Sequence, residues 1–232
     1  MRRLTFLIYT MGWLAFPPAL PARAKELNKT KELSALDVAS RLQKFYDSTA
    51  DFQAAFQQEY ESRALSKKSV SSGYVYVKKP GKMRWDYLAP HPKHFVADGK
   101  SLYIYDPELE QVIRDRDFAS SDLTVALTFL WGKGKLTDEF AIAFGKLPPP
   151  SAAQIVLELT PKKAARFKRL LFVVDKASFR VDGTLVEDPG GNTNRITFSK
   201  ISVNRGLKDE AFVLDIPKGI EVIEVPKDNK TP

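Results

Sequence analysis

The sequence predicts a mainly β protein of the α+β class, with about ten or eleven antiparallel strands and two or three short helices. Short segments of alternating residues recur along the chain, and turn-forming pairs such as Pro80-Gly81, Asp98-Gly99 and Asp106-Pro107 separate them. Few segments have helical spacing. A sheet of this size must curl or close. Because the helices are too few to cover both of its faces, we expect them to fill one concave side.

The first 24 residues have the features of a secretory signal peptide. Arg2 and Arg3 precede an apolar run from Leu4 to Leu20, and Ala22-Arg23-Ala24 supplies a small-residue cleavage site. The run is shorter than the ~20 residues that a membrane span needs, and two prolines interrupt it. We therefore predict cleavage after Ala24, which leaves residues 25–232 as a single domain outside the cytoplasm.

The composition limits the chemistry and the partners of that domain. No cysteine is present, so no disulfide stabilises it and no acylated cysteine follows the signal peptide. The net charge is +8, and the signal segment contributes three arginines, so the mature charge is +8 − 3 = +5. This basicity favours an acidic partner or an anionic lipid surface. We set nucleic acid aside because an exported chain rarely meets it.

The first half of the mature chain predicts one helix and then strands. Ser34-Ala35-Leu36-Asp37 resembles a capping box and begins a helix that ends near Ser48. Helical spacing predicts that its apolar stripe consists of Leu36, Ala39, Leu42 and Phe45. Strands are predicted at 50–62, 72–79, 82–89, 93–98, 101–106 and 110–116.

The second half continues the same sheet. Ser121-Asp122 begins a second helix, which Gly132 ends. Pro148-Pro149-Pro150 predicts a long loop within one sheet rather than a domain boundary. A helical turn at 209–212 precedes an extended tail. Further strands are predicted at 139–145, 154–160, 169–175, 179–187 and 193–203.

The strands between 74 and 112 carry large apolar side chains on both faces. Met83, Trp85 and Tyr87 share one face of their strand, because residues two apart point the same way. In the same way, Leu102 and Ile104 point to one face of their strand, and the tyrosines at positions 103 and 105 point to the other face. A sheet with one solvated face would alternate apolar with polar residues. The second face is therefore covered, either by more of the protein or by an apolar ligand.

No residue pattern in the chain indicates catalysis. The only histidines, His91 and His94, have neither a cysteine nor an acidic cluster to complete a metal site. The serine-hydrolase motif G-x-S-x-G is absent, and Gly132-Lys133-Gly134-Lys135 lacks the first glycine and the final Ser or Thr of a phosphate loop. The basic run at 162–169 fits either a solvated turn or a docking surface. These observations predict a binding protein without a metal or cofactor, and not an enzyme.

One combination of motifs resembles a known family. YVKKPGKMRW at 76–85 places a basic residue and Pro-Gly between an aromatic strand and a strand ending in Trp. Asp98-Gly99-Lys100 then leads into an aromatic strand, which ends in Asp106-Pro107. The segment 52–58 also fits the family's first strand. Together these motifs, over about 36–131, resemble the LolA family of periplasmic carriers for outer-membrane lipoproteins.

The resemblance implies an incomplete antiparallel β-barrel with short helices over its open, concave side and an apolar cavity between them. The cargo would be the acylated N-terminus of a lipoprotein, received in the periplasm from an inner-membrane ABC exporter of the LolCDE type. A monomeric carrier would deliver it to an outer-membrane receptor of the LolB type or to the outer membrane itself. The first helix and the helix at 121–131 would act as lids.

Within that resemblance, we expect the lipid-binding wall to consist of Phe56, Tyr76, Met83, Trp85, Tyr87, Phe95 and Tyr103, with Leu127 and Leu130 on the lid. The family usually has Arg before the proline, where it helps to hold a lid closed. This chain has Lys79 there, a point charge in place of a planar fork of donors. A lid latch at Lys79, meaning a contact that holds a lid closed, would therefore be weaker than one made by the family's arginine, or would use different hydrogen-bond partners.

Three other functions are open to the sequence. A regulator of the RseB type would bind lipid-like signals and restrain a membrane protein, although such proteins usually have a second domain. An exported lipid hydrolase would need a reactive serine. A carrier for another amphiphile, such as a glycolipid, would use the same apolar wall.

Overall fold

A computed structural model of the chain describes residues 33–116 and 135–226. The predicted signal peptide and the predicted helix at 121–131 lie outside these residues. The helical elements are α1 (Ala35–Asp47), α2 (Leu136–Glu139) and a 3₁₀ turn (Asp209–Phe212). The strands are β1 (Asp51–Ser62), β2 (Lys67–Lys78), β3 (Lys82–Ala89), β4 (Lys93–Asp98), β5 (Leu102–Asp106), β6 (Gln111–Asp115), β7 (Phe140–Phe144), β8 (Gln154–Pro161), β9 (Arg169–Asp175), β10 (Val181–Glu187), β11 (Thr193–Val203) and β12 (Glu221–Glu224).

The described strands form one open sheet in the order β12-β6-β5-β4-β3-β2-β1-β11-β10-β9-β8-β7. All neighbours are antiparallel except β12 and β6, which are parallel. The two ends of the order, β12 and β7, are not joined to each other, so the predicted incomplete antiparallel barrel is confirmed. Two details of the prediction were wrong. The sheet has a twelfth strand in the tail, and β2 begins at Lys67 because its polar first half pairs along β1.

A capping box begins helix α1, and one apolar stripe of the helix is buried. The Ser34 hydroxyl accepts a hydrogen bond from the Asp37 amide at 3.1 Å, and the Asp37 carboxylate accepts one from the Ser34 amide at 3.0 Å. This pair is the predicted capping box. The predicted stripe was rotated, because Leu36 is 57% exposed. The residues that α1 buries are Val38, Ala39, Leu42 and Tyr46.

The buried stripe of α1 packs on one face of β7–β10, which we call the inner face of the sheet. Leu42 contacts a cluster that includes Phe140, Leu157 and Phe172, and all four side chains are at most 4% exposed. Burial of each such side chain contributes about 1.5–3 kcal/mol. The Tyr46 hydroxyl accepts a hydrogen bond from the Val181 amide at 3.2 Å, and burial raises the pKa of this phenol. Helix α1 is therefore anchored by apolar burial and by one hydrogen bond from β10.

The opposite, outer face of β3 is covered by the 3₁₀ turn. Arg84 donates from Nη1 to the Ala211 carbonyl at 3.2 Å, and Phe212 is 1% exposed. Asp209 accepts from the Lys78 ammonium at 2.6 Å and from the Lys82 ammonium at 2.7 Å. The chain after β11 therefore crosses the outer face, held by one buried ring and a small group of ion pairs.

Acid should loosen the 3₁₀ turn from the sheet. Hydrogen bonds from Lys78 and Lys82 lower the pKa of Asp209 from its ordinary value of 3.8 to about 2. The ion pairs therefore stabilise the folded chain fully above about pH 4, and this stabilisation is lost as the pH falls towards 2. We expect the protection factors of the amides across residues 207–213, which compare measured exchange with the intrinsic rate at each pH, to fall over that range.

The variant Asp209→Asn provides the control for this prediction. It should exchange quickly at every pH over residues 207–213. The pH response at residues 221–224 should remain, because Arg114 and Arg116 independently lower the pKa of Glu224 to about 2. An unchanged acid response at 207–213 in Asp209→Asn would show that other groups hold the turn.

Candidate functional site

The inner face carries apolar side chains across β1–β5 and β11, beside the part that α1 covers. Cross-strand register places these side chains in continuous rows, since directly opposed residues point to the same face. One such row runs from Phe198 through Phe56 to Gly73 and Tyr87. The buried members of this surface are Phe52, Ala54, Phe56, Val75, Val77, Met83, Ala97 and Leu102. We call this surface, together with the rings packed on it, the apolar wall.

Aromatic rings contact one another along the wall. Phe56 lies between Trp85 and Tyr87, with ring centroids 4.8 and 4.9 Å away in edge-on arrangements. Tyr87 continues the series to Phe95 at 5.6 Å, and Trp85 continues it to Phe198 at 6.3 Å. Edge-on rings at these distances attract one another beyond simple burial. The strands therefore hold a rigid aromatic surface in place.

Burial across the wall is graded. Phe56 and Met83 are 3% and 6% exposed, whereas Trp85, Tyr87 and Phe95 are only half-buried. Burial raises the pKa of the Tyr87 phenol, with a hydrogen bond to Gln58 opposing it, so the hydroxyl stays neutral at ordinary pH. The rings on the wall thus offer uncharged apolar surface, which suits contact with a hydrocarbon chain.

The structure brings five of the predicted wall residues together and separates two from them. Phe56, Met83, Trp85, Tyr87 and Phe95 lie on the apolar wall. The placement of Tyr76 and Tyr103 on the same wall is corrected. Tyr76 opposes Arg84, which opposes Val96, which opposes Tyr103, so this row points to the outer face. The two predicted lid residues, Leu127 and Leu130, lie outside the described residues.

Side chains beside this row form hydrogen bonds and ring contacts with one another on the outer face. The Asp86 carboxylate accepts hydrogen bonds from Arg84 Nε at 2.8 and 3.0 Å and contacts His94 Nδ1 at 2.6 Å. The Tyr105 ring stacks on His94 with centroids 5.8 Å apart. Partial burial raises the pKa of Tyr76. These residues fix the outer face of β2–β5 and the 3₁₀ turn rather than line the wall.

Sequence reasoning missed the contribution of β11. Ile196 and Phe198 pack against the wall, as do Ile201 within a bulge and Val203 beyond it. The sequence pattern did indicate that these two side chains share one face, because Ile196 and Phe198 are spaced two apart in a strand that was correctly predicted. It was weak because polar residues surround both side chains.

Lys79 contacts the end of α1. Its ammonium group donates a hydrogen bond to the Tyr46 carbonyl in the last turn of the helix, and its own amide donates to the Ala50 carbonyl at 2.9 Å. A cation is favoured at this position because the C-terminal carbonyls of a helix carry partial negative charge. Partial burial lowers the pKa of Lys79, and the nearby Asp47 carboxylate opposes that effect. Lys79 therefore ties the turn before β3 to α1.

Two further findings concern the described residues alone. Within 33–116 and 135–226, no group of three or more His, Asp or Glu side chains is placed to hold a metal ion. His91 instead contacts Glu108 at 3.0 Å on the surface. In the same part of the chain, no helix is long and apolar enough to cross a membrane.

Comparison with known proteins agrees with this geometry. The family model described as outer membrane lipoprotein carrier protein LolA matches residues 47–215. An outer-membrane lipoprotein carrier protein of Chromohalobacter salexigens is 29% identical over 80% of this chain and 86% of its own. One from Dechloromonas aromatica is 31% identical over 79% of this chain and 86% of its own.

A solved structure supports the fold independently of sequence similarity. An uncharacterized conserved protein from Thermus thermophilus superposes with a TM-score of 0.53 at 14% identity, over 82% of this chain and 99% of that one. At this identity the likeness concerns the fold alone. The family model extends across both the apolar wall and Lys79. The chain therefore belongs to the LolA family of outer membrane lipoprotein carrier proteins.

Proposed function

We propose that this chain is a periplasmic lipoprotein carrier, a binding protein without catalytic activity that takes the acylated N-terminus of its cargo onto the apolar wall. The observation that carries the proposal is the row of contacting, half-buried rings at Trp85, Tyr87 and Phe95. Membership of the LolA family supports the carrier role. The leader-like first 24 residues support export to the periplasm.

The physical requirement on such a carrier is reversible binding. Burying one methylene contributes about 0.8 kcal/mol, so a fully sheltered C16 chain would contribute on the order of 12 kcal/mol. Three such chains would exceed the practical limit of roughly 18–21 kcal/mol for non-covalent binding. A carrier that must release its cargo should therefore shelter the chains incompletely. Half-buried rings on an open sheet fit this requirement.

The proposed route has two transfers. An inner-membrane ABC exporter of the LolCDE type would load the carrier, and a LolB-type receptor or the outer membrane itself would accept the cargo. The carrier would act as a monomer, with residues 25–232 as its single domain. Helix α1 would serve as one lid, and Leu127 and Leu130 would contribute to another.

The test is release of lipoprotein from spheroplasts. Purified residues 25–232 should bring newly made outer-membrane lipoproteins into the soluble fraction as a complex. Trp85→Asp should lower this yield about tenfold or more, because a charge on the wall opposes burial of an acyl chain. The matched variant Tyr74→Asp changes a ring that is 41% exposed on the outer face of β2, and it should release lipoprotein normally.

Thermal unfolding of both variants separates binding from folding. Trp85→Asp should lower the melting temperature more than Tyr74→Asp does, because it removes ring contacts with Phe56 and Phe198, yet it should still unfold in one cooperative transition. If Trp85→Asp collapses the fold, Trp85 belongs to a closed core. If the parent protein releases nothing while a known carrier does so in parallel, the cargo is a different amphiphile or the chain is a regulator.

If Lys79 acts as the latch between the sheet and α1, substitutions at this position should give graded changes in stability and in the rate of probe release. Lys79→Ala should lower the free energy of unfolding by about 1.5–3 kcal/mol, the range for a hydrogen bond from a charged group. Lys79→Arg should retain stability and slow the release of a bound acyl probe, because a guanidinium offers more donors to α1. Urea unfolding and stopped-flow probe release measure the two effects.

Lys100→Ala is the control for the latch series, since Lys100 is exposed in the neighbouring turn between β4 and β5. It should change neither quantity. Release rates that are the same for the parent protein, Lys79→Arg and Lys79→Ala would limit this residue to a structural role.

A further inference from the structure

The outer face of β8–β11 contains a cavity, on the side of the sheet opposite the apolar wall. Its volume is about 300 Å³. The floor consists of Val156, Leu171 and Leu185, which form their own cluster and are at most 7% exposed. Leu147 and Pro148, from the loop between β7 and β8, line one side. We call this cavity the outer groove.

A glycine keeps part of the outer groove free of side chains. Gly183 lies in β10 between Val173 of β9 and Thr197 of β11. A Cβ at this position would lie 2.9 Å from the Ile196 carbonyl oxygen, closer than a real contact allows. Glycine within a strand often marks a place where another group approaches the backbone closely. The backbone of β11 approaches Gly183 too closely for a side chain, so β10 contributes no side chain to the groove at this position.

One cation at the rim of the groove is held in an uncommon backbone conformation. Lys200 has φ of 50°, and it lies in a β-bulge where β11 has one more residue than β1 between paired positions. Bulges redirect side chains, and a non-glycine residue in the left-handed region costs free energy that is tolerated most often at functional sites. Lys200 is exposed, and the structure gives it no ion pair with any described residue.

Two other charged residues at the rim, Arg180 and Asp182, compensate each other. Arg180 donates to the Asp182 carboxylate at 2.8 and 2.9 Å, and Gln154 donates to the same carboxylate at 2.9 Å. Arg195 lies directly opposite Glu59 in the pairing of β11 with β1. Among the charged residues that line the groove, the excess positive charge therefore lies on β11, at Arg195 and Lys200, beside an apolar floor.

We propose that the outer groove binds one single-chain amphiphile with a carboxylate head, a fatty acid or its close equivalent. The hydrocarbon chain would lie on Val156, Leu171 and Leu185, and the carboxylate would pair with the Lys200 ammonium. The volume is at the lower end of the range for small-molecule sites, about 300–1,000 Å³, which fits one chain rather than three. This site is independent of the apolar wall and of the carrier function proposed for it.

The test is photolabelling of residues 25–232 with dodecanoic acid that carries a diazirine near its methyl end. Mass spectrometry should locate label on Val156, Leu171 or Leu185. Thr197→Trp fills the groove from an exposed position and should reduce that label about tenfold or more, since it removes the apolar contact area. Lys200→Glu should reduce it by a similar factor, because it replaces attraction of the carboxylate with repulsion.

Two matched variants control for the bulk and charge of these changes. Thr160→Trp places the same ring at another exposed threonine on β8, and Lys67→Glu makes the same charge reversal at the far end of β2. Both should keep the label on the outer groove. A probe with a trimethylammonium head in place of the carboxylate should label the groove weakly in the parent and more strongly in Lys200→Glu.

Label on Trp85, Tyr87 or Phe95 reports the apolar wall separately, so the two proposals succeed or fail independently. The absence of label from the outer groove in the parent protein would overturn the inference. So would groove label that persists in both Thr197→Trp and Lys200→Glu, or that is equal for the two head groups.

Discussion

Within residues 33–116 and 135–226, the fold depends on one constraint: a single twelve-stranded sheet has two apolar faces to bury and little helix to bury them with. Helix α1 covers the inner face only over β7–β10, where Leu42 and Phe172 meet. On the outer face, the segment after β11 brings Phe212 and a set of ion pairs onto β3. The inner face of β1–β5 instead carries a continuous series of contacting rings. The distribution of burial, rather than any polar cluster, thus locates the candidate site.

The same constraint accounts for the chemistry of a carrier. Rings on paired strands provide rigid apolar area at a small cost in conformational entropy. The buried methionine Met83 sits beside them and adds a polarisable surface that adapts to its neighbours. Because Trp85, Tyr87 and Phe95 are only half-buried, the wall of the proposed carrier would offer a hydrocarbon chain favourable contact through these rings. Lys79 adds a polar link between the sheet and α1 next to the wall.

Local patterns in the sequence predicted most of the elements. The bounds of β3, β4, β9 and β11 agree with the alternation and turn signals, and the Ser34 cap begins α1 as expected. Strand β12 was missed because its pairing partner β6 is more than a hundred residues away, and no local signal reports such a pairing. The α1 stripe was rotated because two sets of residues fit helical spacing, and only the contact with β7–β10 selects between them.

The site was predicted less completely than the fold, for a physical reason. Alternation separates the two faces of a strand but does not say what covers each face. Tyr76 and Tyr103 are aromatic like Trp85, yet their row lies on the outer face, which the distant segment around Phe212 helps to cover. The outer groove likewise depends on a bulge at Lys200 and on close backbone approach at Gly183, which strand patterns do not encode.

The most direct test of the central claim is to find which face of the sheet touches the acyl chains of a bound lipoprotein. A photocrosslinking phenylalanine analogue can replace Phe95 on the apolar wall or Tyr105 on the outer face of the neighbouring strand. After loading from spheroplasts and irradiation, mass spectrometry identifies the crosslinked group. We predict acyl-chain adducts at position 95 and none at 105. Adducts at 105 alone, or at neither position in a loaded complex, would contradict binding on the wall.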